Sequence, residues 1–260
     1  MTQKRAANLL VECLINQGVD KIYGVPGESY LSVLDALYDF NDKINFISTR
    51  HESAASFMAE AYGKLTGEVG ICFVTRGPGA TNASIGVHTA MQNSSPMILF
   101  IGQIGRDMTE REAFQEIDYK AYFGSISKWV VQVNNADRLP EIIGRAFSMA
   151  LSGRPGPVVV SLPEDMLRDL TSAVAINKIQ KTCAEISVTQ VNLIKDELEN
   201  SKKPLIICGG GGWSDVGRYY LKRFAESVNI PVICGFRNQD LMDTNSFAYV
   251  GDASFGKPQY

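Results

Sequence analysis

Apolar residues recur along this chain in two alternating patterns: short continuous runs, and longer stripes spaced three and four apart. Ala6, Ala7, Leu9, Leu10, Cys13 and Leu14 fall on one helical stripe, with Gly18 at its stop. Residues 21–25 read as a short strand broken at Pro26-Gly27, and Leu31, Leu34, Leu37 and Tyr38 give the next helix its inner face. Residues 44–47 form another apolar run. The runs at 69–75 and 96–101 are nearly uninterrupted, as expected of strands covered by helices on both faces of a parallel sheet. Between them lie a loop, Arg76 to Asn82, and a helix through about Met91. A strand over 128–133, a helix over 137–151 and a strand over 158–162 complete the pattern. The alternation predicts an α/β domain over residues 1–172, a doubly wound parallel sheet whose ligands sit beyond the carboxyl ends of the strands.

The second half is sparser. Residues 173–187 carry no clear pattern and read as a linker. A helix near Val188, a strand over 204–208, the loop Gly209 to Gly212, a helix to about Val228 and a strand over 231–234 then begin a second, Rossmann-like α/β domain over 188–260. With two clear strands it reads as incomplete. Within the first domain, residues 103–124 lose their periodicity and gain charge, which predicts an extended loop at the ligand end of the sheet.

Composition narrows the function classes. At 260 residues and 45% hydrophobic content, the chain can build one full domain and part of another. A formal charge of −3 without a Lys/Arg cluster argues against nucleic acid or an anionic membrane surface as a partner. No apolar run is long enough to span a bilayer, and the polar start resembles no secretion signal. The five cysteines are scattered, and Cys72, Cys208 and Cys234 lie in apolar runs, which fits reduced thiols in a cytoplasm. With only His51 and His88 available, a zinc site or a Ser/His/Asp triad has little to draw on, and no metal ligands are assigned in this chain.

Residues 48–63 carry the candidate chemistry. Glu52, Ser56, Ala59 and Gly63 share one helical face, so a carboxylate stands in the first turn, where backbone N–H groups and the helix dipole favour it. Small residues along that face let another helix approach. A carboxylate covered by apolar surface holds or shares a proton near neutral pH. Taken alone, Glu52 reads as a helix-start charge; the loops around it change that reading.

Four loops fall at strand ends: residues 24–27, 50–52, 77–82 and 113–116. With Ser152-Gly153-Arg154-Pro155-Gly156-Pro157 added, their order and spacing resemble the N-terminal, pyrimidine-binding domain of thiamine diphosphate enzymes, with acetolactate synthases and pyruvate oxidases the nearest group. The resemblance covers residues 4–170 and continues more weakly to the end of the chain. It implies a thiamine diphosphate-dependent decarboxylation or carboligation of a 2-keto acid such as pyruvate. Glu52 would hydrogen-bond N1′ of the cofactor's aminopyrimidine and so activate the thiazolium carbon. Val25, Pro26 and Gly27 would form the wall beside the pyrimidine. Gly77, Pro78, Gly79 and Asn82 would line the pocket and the contact with a neighbouring subunit. Phe114 and Gln115 would face the substrate, Gln115 as a hydrogen-bond donor in catalysis. The resemblance also implies a homodimer or homotetramer, and Arg154 matches an arginine that contacts FAD. Without the resemblance, residues 77–82 are a turn and helix cap, Gln115 a surface glutamine and Arg154 a turn arginine.

Gly209 to Gly212 follows a strand and opens a helix, a context suited to a dinucleotide phosphate, so Gly210 and Gly211 join Arg154 as candidate FAD contacts. The spacing is not G-x-G-x-x-G. The chain also departs from the acetolactate synthase pattern: after Pro163 those enzymes carry a lysine facing the active-site channel, where this chain has Glu164. Cys234-Gly235-Phe236-Arg237 differs from the usual flavin-contacting segment. Family chains run about twice as long, and their C-terminal domain holds Mg²⁺ and the diphosphate through a G-D-G motif, which Gly251-Asp252-Ala253 resembles only superficially. The diphosphate site is therefore expected outside this chain, on a continuation of it or on a separate subunit. The other reading is a truncated, non-catalytic protein that dimerises through the Glu52 helix or binds a nucleotide at Gly209 to Gly212.

Overall fold

The computed structural model describes residues 3–253, which divide into two compact units after Thr182. The first begins with β1 (Lys4–Arg5), α1 (Ala6–Asn16), β2 (Lys21–Gly24), α2 (Leu31–Asp39), β3 (Asn45–Ser48) and α3 (Glu52–Thr66). It continues with β4 (Gly70–Val74), α4 (Gly77–Asn93), β5 (Met97–Gln103), α5 (Tyr119–Phe123), β6 (Trp129–Gln132), α6 (Leu139–Leu151), β7 (Pro157–Pro163) and β8 (Leu170–Thr171). Six strands pair in parallel in the order β3-β2-β4-β5-β7-β6, while β1 and β8 form a separate antiparallel pair.

Alternation along the central strands divides the core into two layers. Ile71 and Phe73 of β4, Ile98 and Phe100 of β5, and Val158 and Val160 of β7 pack under α1, α2 and α6. Cys72 and Val74, Leu99 and Ile101, and Val159 point the other way, under α3, α4 and α5. Every residue of β4, β5 and β7 is buried, which is why these strands read as uninterrupted apolar runs.

Residues 77–82 do not form a loop; they are the first turns of α4, with Pro78 at its start. Proline suits that position because its missing N–H would have no intrahelical acceptor there and its φ is already helical.

Helices α3 and α4 lie unusually close. A β-carbon on Gly86 would fall 2.6 Å from Ser56 Cβ and 2.7 Å from Ser56 carbonyl carbon. One on Gly63 would overlap the Pro96 carbonyl, and one on Gly70 the Ala59 carbonyl. Buried Glu60 locks the base of this pair by accepting from Asn93 Nδ2 at 2.9 Å and Ser95 Oγ at 2.7 Å.

Residues 173–182 contain no helix or strand and lie against the first unit. Gln17 accepts from the Ile179 N–H at 2.8 Å and donates to the Asn177 carbonyl at 2.9 Å, and Ile176 and Ile179 join the α1/α6 layer. The second unit begins at Cys183.

The second unit comprises α7 (Val188–Asn200), β9 (Ile206–Cys208), α8 (Asp215–Val228), β10 (Val232–Gly235) and β11 (Tyr249–Ala253). Its sheet has three parallel strands in the order β11-β10-β9, one more than the two apolar runs predict. The added strand contains Gly251-Asp252, where Asp252 accepts from Gln239 Nε2 at 2.8 Å. No residue of α7 is buried. Among the described residues, no helix is long and apolar enough to cross a membrane.

Two glycine substitutions separate close approach from backbone conformation. Gly86→Ala pushes a methyl group into Ser56 and is expected to cost about 2–3 kcal/mol, within the overpacking range. Gly67→Ala meets open space but forces alanine to φ 70°, at a cost of about 1 kcal/mol. Urea denaturation followed by circular dichroism checks both values; equal effects would show that the α3/α4 approach is looser than described.

Candidate functional site

The carboxyl ends of β2, β4, β5 and β7 converge on one end of the sheet, where α3 and α4 begin. His51 caps α3: its Nδ1 accepts from the Ser53 N–H at 3.2 Å and lies 2.7 Å from Ser53 Oγ. The next residue, Glu52, is half-buried, and its Oε2 accepts from Asn82 Nδ2 at 2.9 Å. Asn82 lies one and a half turns into α4. A β-carbon on Gly79 would sit 3.4 Å from Glu52 Oε1, so the absent side chain leaves the carboxylate its space. The structure thus brings Glu52, Gly79 and Asn82 together. Among the described residues Glu52 is only partly covered, and the outward faces of α3 and α4 are open: Phe57, Met58, Leu65 and Ile85 are 37%, 39%, 78% and 53% exposed.

The wall at 25–27 is held from behind by residues that composition did not single out. Buried Tyr30 donates its hydroxyl to the Val25 carbonyl, and burial raises the pKa of that hydroxyl. Ser29 Oγ lies 2.9 Å from Thr75 Oγ1, tying the turn after β2 to the end of β4. A β-carbon on Gly27 would fall 2.6 Å from Thr75 Cβ, so glycine is what allows this turn to press against β4. The signal was present as Glu28-Ser29-Tyr30 directly after Pro26-Gly27, but Thr75, the partner of Ser29, lies 46 residues away.

The loop after β5 meets the start of α4. The Gly77 N–H donates to the Gln115 carbonyl at 3.0 Å, and a β-carbon on Gly77 would fall 2.9 Å from that oxygen. Gln115 is held at φ 66°, a conformation that costs a non-glycine residue energy and persists only where neighbours impose it. Glu116 does so locally, accepting from the Glu110 and Ala113 N–H groups at 2.8 and 3.2 Å. Phe114 is 74% exposed beside it. Beneath the loop, buried Gln103 donates to the Ile117 carbonyl at 3.3 Å, and its backbone carbonyl accepts from the Glu164 N–H at 3.0 Å. Glu164, the sequence departure, has a counter-charge: Arg76 Nη2 donates to its Oε2 at 2.7 Å.

Residues 4–122 match the thiamine pyrophosphate enzyme N-terminal TPP binding domain, and residues 191–259 match the central domain of the same enzymes. The chain belongs to the thiamine pyrophosphate enzyme family. It is 35% identical to the acetolactate synthase isozyme 3 large subunit of Escherichia coli (strain K12) over 240 residues, 90% of this chain and 42% of that protein. It is 34% identical to the mitochondrial acetolactate synthase catalytic subunit of Saccharomyces cerevisiae over 259 residues, 92% of this chain and 37% of that one. A probable acetolactate synthase large subunit of Methanocaldococcus jannaschii is 36% identical over 237 residues, 88% and 39% of the two chains. The chain thus spans about two fifths of the length of these relatives.

The candidate flavin contacts of this family member fall in both units. Arg154 sits at the opposite end of the first unit's sheet, where Nη2 donates to the Met91 and Gln92 carbonyls at 2.8 and 3.3 Å and Nε to Ser94 Oγ at 2.7 Å. It satisfies the last turn of α4, which is the turn-arginine reading. In the second unit, Gly210 and Gly212 have φ 76° and 86°, and β-carbons on Gly209, Gly210 and Gly212 would meet nothing within 4 Å. Asn238 Nδ2 donates to the Gly210 carbonyl at 2.9 Å, fixing the exposed loop from one side.

Tyr30→Phe tests whether the wall depends on its buried hydroxyl. Removing that hydroxyl leaves the Val25 carbonyl without its donor and is expected to cost about 1–3 kcal/mol in a urea titration, with faster hydrogen exchange at Gly27 and Glu28. Unchanged exchange at those amides would show that the wall stands without it.

Proposed function

We propose that this chain supplies the pyrimidine-binding half of a thiamine diphosphate site in an enzyme that decarboxylates or condenses 2-keto acids, as its acetolactate synthase relatives' names suggest. The observation that carries the reading is Glu52: a half-buried carboxylate at a helix start, bonded to Asn82 and facing the space left by Gly79. These residues fit the cofactor, since a flat ring needs an unobstructed wall and a carboxylate with a free oxygen, and Gly27, Gly79 and Glu52 provide both. When bound, thiamine diphosphate supplies a thiazolium carbon that adds to the keto group and accepts the electron pair released with carbon dioxide.

The chain's own residues then have distinct tasks. Asn82 holds Oε2 of Glu52 through its amide, fixing the plane of the carboxylate and leaving Oε1 toward Gly79. Glu52 would hydrogen-bond a ring nitrogen of the bound cofactor and exchange a proton with it there. Val25, Pro26 and Gly27, backed by Tyr30, keep water and bulk from one side. Phe114 and Gln115 present an apolar surface and an amide to the substrate from a loop pinned on α4. Mg²⁺ and the diphosphate belong to a domain these residues do not include, on the same polypeptide or on a separate subunit. FAD stands outside the proposal, because the Arg154 donors are directed to α4.

Calorimetric titration with thiamine diphosphate and Mg²⁺, with and without a separately supplied diphosphate-binding domain, tests the composite site. Heat is expected only when both polypeptides are present, and Glu52→Gln should weaken binding by about ten- to a hundredfold, the worth of a charged hydrogen bond. Binding that ignores Glu52→Gln would overturn the reading.

The open α3/α4 face carries a second expectation: two copies cover Glu52 for each other through Phe57, Met58 and Ile85. Sedimentation should show a dimer that Ile85→Glu converts to monomer, and a monomeric parent chain would remove this part of the proposal.

A further inference from the structure

Arg76 is a buried cation directly before the helix that carries Gly79 and Asn82. It is 8% exposed, it directly precedes α4, and three residues further on Gly79 abuts Glu52. Its guanidinium is only partly satisfied: Nη2 has Glu164, while Nε is sealed from solvent with no hydrogen-bond acceptor. Buried guanidinium groups are ordinarily hydrogen-bonded throughout, so a hidden N–H without an acceptor marks a place where an acceptor is missing.

The pair is also asymmetric. The Arg76 side chain is 10% exposed and the Glu164 side chain 35%. The acid can swing into water while its backbone stays pinned by the Glu164 N–H bond to the Gln103 carbonyl, whereas the arginine is enclosed. Tyr119, beside them, feels the positive charge of Arg76, which lowers its pKa against the larger raising effect of burial.

We propose that Arg76 is a carboxylate anchor of the Glu52 site, and that Glu164 occupies it as an internal, displaceable carboxylate until a substrate carboxylate takes its place. The inference rests on the keto-acid reading above. Glu164 uses only Nη2, whereas a carboxylate that replaces it could take Nε and Nη2 together in the bidentate geometry that a planar guanidinium offers. The anchored carboxylate is one that survives the reaction. A cation held against the carboxylate that departs as carbon dioxide would stabilise the charge about to be lost and oppose its departure. Arg76 therefore suits the carboxylate of an acceptor 2-keto acid, or the distal carboxylate of a dicarboxylic one.

The test follows the Arg76 Nε–Hε resonance in ¹⁵N-arginine-labelled protein during titration with pyruvate, 2-oxoglutarate and methyl pyruvate at matched ionic strength. Saturable shifts are expected with the two acids and none with the ester. A tighter response to 2-oxoglutarate would assign the distal carboxylate, and a tighter one to pyruvate the acceptor. Glu164→Gln frees the anchor and should tighten binding about five- to tenfold, since the competent fraction of Arg76 rises; Arg76→Lys should abolish the saturable component. Equal shifts with methyl pyruvate, or affinity unchanged or weakened in Glu164→Gln, would overturn the anchor, and Glu164→Gln decides alone if Arg76→Lys fails to fold. The titration needs neither cofactor nor a second domain. No carboxylate response alongside intact Glu52-dependent cofactor binding defeats only the anchor, whereas a carboxylate response without such cofactor binding defeats only the keto-acid reading.

Discussion

Helices α3 and α4 meet where Gly86 lies on Ser56, and α3 rests on the sheet where Gly70 lies on Ala59. At both contacts a β-carbon would be in collision, so the missing side chains set the distance between the elements. Each helix begins at the carboxyl end of a strand, α3 after β3 and α4 after β4. Their first turns therefore lie side by side. Glu52 on one reaches Asn82 on the other at 2.9 Å only because the helix bodies are this close. The chemistry depends on packing among residues that themselves have none.

This dependence explains what sequence reading captured and what it missed. Strands β4, β5 and β7 were legible because both faces are buried and almost every position is apolar. The place of Glu52 at a helix start was legible, because an apolar run is followed directly by a charge and then by small residues at helical spacing. The start of α4 was not: Gly77-Pro78-Gly79 has the composition of a turn, and only the hydrogen bond from Gly77 N–H to the Gln115 carbonyl, together with the helix it opens, shows otherwise. Strand β11 was missed because Tyr249–Ala253 mixes glycine and aspartate with apolar residues and is only half-covered. The Arg76–Glu164 pair joins positions 88 residues apart, and no local rule connects them. Glu164 stood out as a misplaced charge; its meaning needed a partner that only the sheet order brings near.

The two units differ in how far they close on themselves. In the first, apolar residues form one layer on each side of a six-stranded sheet, and a strap at 173–182 seals α1 and α6. In the second, the cluster is small: α8 contributes Ala225 as its only buried residue, and Ile207 on edge strand β9 is 69% exposed. Burial of this kind stabilises in proportion to area removed from water, at roughly 25 cal/mol per Å². The second unit thus has less to hold it, and its glycine loop is correspondingly open.

The two ends of the first unit's sheet are used for different purposes, which bears on how substitutions there should be interpreted. At the amino end, Arg154 satisfies carbonyls of α4 and Lys128 Nζ donates to the Met149 and Ser152 carbonyls at the end of α6, with burial lowering the lysine's pKa. These cations meet helix C-termini, where dipole and unpaired carbonyls favour them. At the carboxyl end, charges are instead set against helix starts and left incompletely matched: Glu52 half-open, Arg76 with an orphan nitrogen, Gln115 in a costly backbone conformation. A fold minimises such mismatches wherever nothing opposes it. Three of them gather around one helix start, whereas Arg154 and Lys128 at the far end are paired with helix carbonyls, and such a contrast is what the proposed site at the carboxyl end would require.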